Sequence, residues 1–288
     1  MIKCIASDMD GTLLNKEDKI SQANKEAIEK AQEMGVEVVI ATGRSYVEAR
    51  HVLNDANLNC PVISINGAVI WGEDGNVVSS NPMKQEDVKY AAALLDDAGI
   101  FYELFTNDGT YSKSKGQSVA TIVDIMVSAF PDLDPAFVAM KATERFESGY
   151  IHAVDSYQEL FEREDVEIYK ILAFSSELDL LGKCAGQLKE NTTLAVSSSG
   201  RENLEITSLD AQKGIALEKF VAERNISLAE TMAIGDSFND VSMFKKAGTA
   251  VAMGNAVQEI KDLCNEVTLT NDKDGVAHAI LKALSDKQ

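Results

Sequence analysis

The sequence predicts an α/β protein of two domains, a parallel sheet covered by helices on both faces and interrupted by an α+β unit. Three observations predict it. Short, continuously apolar runs alternate with amphipathic helical segments through the first 82 residues, and again after residue 198. Apolar runs without polar alternation are strands buried on both faces, as βαβ crossovers require. Between them, residues 83–198 lose the short βα rhythm and mix strands and helices with wider polar intervals. At 288 residues the chain has room for two ordinary domains.

Taken in order, the first strand is the apolar run Ile2–Ala6. A helix follows over Ser21–Met34, because Ala23, Ala27, Ile28, Ala31 and Met34 share one face. Ser21 is its N-cap and Gly35 its stop. Val36–Ala41 is the second strand, Val47–Asn54 a helix and Pro61–Ile65 the third strand. Val69–Trp71 and Val77–Val78 flank Asp74-Gly75 and read as a hairpin. In the middle, helices are predicted at Gln85–Asp97, Gln117–Ala129, Ser156–Arg163 and Glu177–Lys189, with strands at Phe101–Thr106, Ile168–Phe174 and Leu194–Ser197. Asn81-Pro82 and Ser197–Gly200 have linker composition. The boundaries are therefore drawn to give 1–82 with 199–288 as one domain and 83–198 as the insert. The rhythm then resumes: helix Lys213–Arg224, strand Thr231–Ile234, helix Val241–Ala247, strand Thr249–Ala252, helix Val257–Leu263, strand Val267–Leu269 and helix Ala277–Leu284.

Composition narrows the function. Hydrophobic residues make up 45% and charged residues 25%, the balance of a globular protein. The net charge of −19 leaves no segment with the basic field that a nucleic-acid backbone demands, so nucleic acid is not an expected partner. A small anionic substrate stays compatible, provided local cations or a metal receive it. Cys4, Cys60, Cys184 and Cys264 are scattered without a CxxC pair and read as free thiols of a reducing compartment. No basic-then-apolar leader opens the chain and no apolar run approaches about 18 residues. A cytoplasmic protein without a membrane partner is the expectation.

The chemistry begins at Lys3-Cys4-Ile5-Ala6-Ser7-Asp8-Met9-Asp10-Gly11-Thr12, a strand running into two aspartates. A calcium loop starting at Asp8 fails, because the turn position that needs Gly is Leu13 and the position that needs a bidentate Glu is Lys19. A simple Asp-Gly turn would account for the stretch if it stood alone. Three further polar clusters stand at strand or helix ends: Thr42-Gly43-Arg44, Lys213-Gly214 and Gly235-Asp236-Ser237-Phe238-Asn239-Asp240. In an open parallel sheet, side chains past the carboxyl ends of neighbouring strands converge on one crevice. Four carboxylates, a hydroxyl and a lysine there suit a hard cation together with a phosphoryl group.

In order and placement these clusters resemble the four signature motifs of haloacid dehalogenase-type hydrolases, in the subgroup called Cof-type phosphatases. The resemblance covers roughly residues 1–80 and 200–288, and Asn66-Gly67-Ala68 and Asp274-Gly275-Val276-Ala277 add to it. It implies a Rossmann-like core, an α+β cap at 83–198, and Mg²⁺-dependent hydrolysis of a small phosphorylated metabolite through an aspartyl-phosphate. Asp8 is then the nucleophile and Asp10 the acid and base. Asp8, the Asp10 backbone carbonyl and Asp236 are the implied metal ligands, with Asp240 and Asn239 about the metal shell. Thr42 and Lys213 hold phosphoryl oxygens, and Gly11, Thr12, Gly43, Arg44 and Asn66 line the substrate side. A cap large enough to enclose the site disfavours protein substrates.

Some residues carry two readings. Arg44 either reaches substrate or pairs with Glu48 one turn on. Asn239 either orients the metal shell or caps the helix near Asp240. Arg201 and Glu205 are either linker ion pairs or part of the substrate rim. His51, His152 and His278 form no triad or metal pattern. The alternatives to a phosphatase are a phosphomutase of the same fold, a phosphoacceptor signalling domain and a sugar-phosphate sensor without turnover. Monomer and homodimer are both compatible with the sequence.

Overall fold

The computed structural model describes residues 1–129, 134–191 and 193–285. The chain divides into two compact units, Met1–Ser80 with Ala211–Gln288, and Asn81–Asp210. The first unit opens with β1 (Cys4–Ser7), α1 (Gln22–Glu33), β2 (Glu37–Ala41), α2 (Tyr46–Asp55), β3 (Val62–Ser64), β4 (Val69–Trp71) and β5 (Val77–Ser80). The second unit holds α3 (Gln85–Asp97), β6 (Phe101–Thr106), β7 (Gly109–Ser112), α4 (Lys115–Ala129), α5 (Pro135–Glu147), β8 (Ile151–Ala153), α6 (Gln158–Phe161), β9 (Ile168–Phe174), α7 (Leu178–Glu190), β10 (Leu194–Ser197) and β11 (Asn203–Ser208). The first unit resumes with α8 (Lys213–Glu223), β12 (Thr231–Gly235), α9 (Val241–Phe244), β13 (Thr249–Ala252), α10 (Gln258–Lys261), β14 (Glu266–Val267) and α11 (Gly275–Ser285).

The first unit's sheet runs β14-β13-β12-β1-β2-β3-β4-β5. It is parallel from β14 to β3, and β4 and β5 add an antiparallel hairpin at one edge. Alternate residues of each strand serve opposite faces. Ile5, Val38, Ile40, Met232, Ile234 and Val251 pack with Ala27, Ile28 and Ile280 from α1 and α11. Their neighbours Cys4, Ala6, Val39, Ala41, Ala233 and Ala250 pack with Leu217, Phe220 and Met243 from α8 and α9. The small residues on that second face admit bulky aromatic and leucine side chains. β1 thus lies between β12 and β2, which puts the residue after it in the middle of the sheet's carboxyl edge.

The second unit has the sheet order β10-β11-β9-β6-β7-β8, antiparallel except for β7 beside β8. Tyr102, Leu104, Ile171, Ala173, Leu204 and Ile206 form its core with Val88, Ala91, Leu181 and Leu188 of α3 and α7. Here the expected boundary moves. β11 pairs with β9 and β10, and Leu204 and Ile206 are buried in this unit's core, so residues 199–210 belong to the insert. Glu205, expected at a linker or substrate rim, is instead buried on β11 with its carboxylate 3.6 Å from Lys170 of β9. The strands β7, β8 and β11 and the helix α5 have no counterpart in the sequence expectations. Among the described residues no helix is long and apolar enough to cross a membrane.

Candidate active site

The Asp8–Leu14 loop is fixed at both ends. Asp8 N–H donates to the Ile234 carbonyl at 2.9 Å, and Leu14 N–H returns to the Met9 carbonyl at 2.9 Å. Met9 and Leu13 are buried in the core, and between them Asp10 turns outward. Asp10 is extended and Gly11 is left-handed, with φ +71°. A Cβ at Gly11 would lie 2.5 Å from Asp236 Oδ2, so conformation and space both require glycine. Thr12, expected on the substrate side, is buried and donates its hydroxyl to Asp236 Oδ1 at 3.0 Å.

Lys213 is the first residue of α8 and is fully buried. Its Nζ donates to Asp8 Oδ1 at 2.6 Å and to Asp240 Oδ1 at 2.7 Å. Asp240 Oδ2 accepts from the backbone N–H groups of Asp236 and Ser237, both at 3.0 Å. Asp240 therefore spends both oxygens inside the protein, tying Lys213 to the loop that presents Asp236. Carboxylate oxygens of Asp8, Asp236 and Asp240 lie within 4.8 Å of one another.

Three carboxylates face one ammonium here, and the electrostatics record the excess. Burial, then the Asp240 charge, holds the Asp8 carboxyl well above the usual range despite Lys213. Burial and Asp240 likewise push Asp236 up to about 6. Burial works against the Lys213 ammonium, but Asp240 and Asp8 outweigh it and hold that group above the usual lysine range. All-oxygen donors with surplus negative charge fit a hard divalent cation such as Mg²⁺. Asp8 and Asp236 are the members of this acidic group that could hold such an ion.

On β2's side, Thr42 is buried at the strand end, and its Oγ1 accepts from Arg44 N–H at 3.1 Å. The Arg44 guanidinium grips Asp10, with Nε 3.1 and 2.9 Å from the two carboxylate oxygens and Nη2 on Oδ1. Glu48, the neighbour one turn on, acts on Arg44 through its charge, while its Oε2 accepts from the Ser45 N–H at 3.2 Å and hydroxyl at 2.7 Å in the capping box of α2. Asn66 is buried, donates its N–H to the Thr42 carbonyl at 2.9 Å and accepts from Asn239 Nδ2 at 3.4 Å. Ser237, not Asn239, makes the capping contact with Asp240 at the next turn. Gly43 bridges Thr42 and Arg44 and is half-buried. Sequence reasoning missed Asn255, whose Nδ2 donates to the Gly11 carbonyl at 2.8 Å while its Oδ1 accepts from Asn271 N–H at 3.0 Å. The signal was available: Gly254-Asn255 stands one residue, Met253, past the strand at Thr249–Ala252, as the other polar clusters stand at the ends of theirs.

Comparisons with known proteins agree in kind. The family model for haloacid dehalogenase-like hydrolases matches residues 5–280. The chain is 36% identical over 279 residues to phosphatase YwpJ of Bacillus subtilis (strain 168), covering 96% of this chain and 98% of that protein. It is 38% identical over 285 residues to 5-amino-6-(5-phospho-D-ribitylamino)uracil phosphatase YwtE of the same organism, covering 99% of each. A solved haloacid dehalogenase-like hydrolase from B. subtilis superposes with a TM-score of 0.89 at 36% identity, covering 97% of this chain and 99% of that one.

Proposed function

The chain belongs to the haloacid dehalogenase-like hydrolases and is a phosphatase of that family, and on that premise we propose that it hydrolyses small phosphate monoesters through an aspartyl-phosphate on Asp8. The observation that carries this reading is the buried Asp8 carboxylate, anchored by Lys213 at 2.6 Å beside Asp236 and Asp240. Attack of the free Asp8 oxygen on phosphorus breaks the bond to the leaving oxygen, which takes a proton from Asp10. Asp10 then takes a proton from the water that attacks the phosphorus. The Asp8 carboxylate and inorganic phosphate are released. Lys213 fixes the orientation of Asp8 through both steps, and Thr42 offers its hydroxyl to a phosphoryl oxygen. Asp8, Asp236 and the Asp10 carbonyl would hold Mg²⁺, which would supply the positive charge that keeps Asp8 ionised against a phosphate dianion.

The substrate named for the YwtE relative, a phosphorylated ribityl chain on a uracil, is the first to test. Phosphate release is measured over phosphorylated polyols, sugars and nucleotides, with Mg²⁺ and with a chelator. Asp8→Asn is expected to lose at least about 10³-fold in turnover; release at the wild-type rate would refute the Asp8 mechanism. An isomerised product without free phosphate would point to the phosphomutase. A long-lived phosphorylated protein without turnover would point to the phosphoacceptor.

A further inference from the structure

We propose, resting on the phosphatase reading, that Arg44 is an anion receptor of the same site which Asp10 occupies in the free enzyme, and that the incoming phosphate displaces Asp10 from it. A planar guanidinium matches the paired oxygens of a carboxylate or a phosphate alike, so a fork engaged by one is shaped for the other. In the free protein the fork is engaged by both oxygens of Asp10. The pair is accessible, with the Arg44 side chain 26% and the Asp10 side chain 52% exposed. Asp10 offers the fork one carboxylate charge from a half-exposed side chain, so a dianion held also by the rest of the site out-competes it.

The main chain around Arg44 is fixed while its side chain has alternatives. Its N–H donates to Thr42 Oγ1 at 3.1 Å, and its carbonyl accepts from Ile65 N–H at 3.0 Å. The Ser45 capping box that follows anchors α2. Arg44 also has a second, looser neighbour, Asp18 at 3.8 Å, on a highly exposed side chain. Its Thr42 contact places it beside the candidate phosphoryl-holding hydroxyl, and its Asp10 contact beside the candidate acid. The exchange has a chemical consequence. While both Asp10 oxygens accept from the guanidinium, the carboxyl is held on Arg44 and is not free to turn to the leaving oxygen. Transfer of the fork to the phosphate binds substrate and frees Asp10 in one event.

A double-mutant cycle tests this with inorganic phosphate as the probe, titrated calorimetrically into the Mg²⁺-loaded protein at fixed ionic strength. Asp10→Asn is expected to bind phosphate severalfold more tightly than wild type, because the competitor for the fork is weakened. In the Arg44→Gln background the same change should give less than half that gain. Arg44→Lys, which keeps the charge and loses the fork, should fall between. Equal gains in the wild-type and Arg44→Gln backgrounds would mean simple removal of a like charge and would overturn the exchange. Absence of phosphate binding in all of these proteins would overturn it as well. Both side chains are partly exposed, and a thermal melt of each variant confirms folding. Mg²⁺-dependent phosphate release by the wild type reports on the phosphatase reading separately, so either can fail alone.

Discussion

Lys213 sits fully buried between two carboxylates, and removing it would strand both. Its Nζ lies 2.6 Å from Asp8 and 2.7 Å from Asp240. Truncating one member of a buried ion-pair network leaves uncompensated charge, at about 3–5 kcal/mol. That accounts for one positive charge, and the site carries three negative ones. The remainder sets a pH dependence. Burial and Asp240 raise Asp236 from 3.8 to about 6, so the folded metal-free protein holds that proton more tightly than the unfolded chain. Its contribution to stability is fully present below pH 3.8 and is lost as pH rises through about 6. On the proposed ligation by Asp236, Mg²⁺ would take the place of the proton. The rise in Tm at saturating Mg²⁺ is therefore expected to be larger at about pH 7.5 than at about pH 5. Equal shifts at the two pH values would contradict the coupling of Asp236 to the metal.

Elements place these residues by close contact, and the contact between α8 and α9 is the tightest that bears on Lys213. A Cβ at Gly214 would lie 2.0 Å from the Ser242 carbonyl oxygen, and Gly214 N–H donates to Ser242 Oγ at 2.9 Å. Gly214→Ala must push the first turn of α8 off α9 and draw Lys213 away from Asp240. The expected cost is about 1–3 kcal/mol in urea unfolding, with a matching loss of turnover. Gly182→Ala in α7 is the control: its Cβ meets nothing within 4 Å, and about 0.5–1 kcal/mol of added stability is expected. The same scale explains what could be read in advance. Strand ends followed by Asp8, Thr42 and Asp236 were legible because buried parallel strands are continuously apolar and their polar ends stand out. β11 was not, since Asn203-Leu204-Glu205-Ile206-Thr207 follows a linker-like Ser-rich stretch and buries Glu205 and Thr207 as well as Leu204 and Ile206. Alternation there separates two buried faces rather than core from solvent. α5 left a signal that went unused: Asp134 caps Ala136 N–H at 2.9 Å and Pro135 opens the helix. Arg44's partner was illegible for another reason. A helical spacing offered Glu48, and only the fold brings Asp10 across from a different strand end.

At the scale of the whole chain, two units with separate cores make a deletion the decisive experiment. The first unit packs its sheet on both faces without any residue of 81–210. The two ends that a deletion would join are both secured within it. Ser79, on β5, accepts from Lys219 Nζ of α8 at 2.6 Å, just before the insert leaves, and α8 begins just after the insert returns. The acidic cluster, Lys213, Thr42 and Arg44 all belong to this unit. A chain with residues 81–210 replaced by a short Gly/Ser linker is therefore expected to melt cooperatively and to keep its Mg²⁺-dependent rise in Tm. Cutting at the sequence-derived boundary instead, after residue 198, would leave β11 attached to the core with its Leu204 and Ile206 stripped of partners. That second deletion variant is expected to melt lower and to aggregate, because a strand with an apolar face and no sheet is an open edge. Equal behaviour of the two deletions would contradict the assignment of residues 199–210 to the insert. Loss of the Mg²⁺ response in the first would show that the core does not hold its acidic cluster alone.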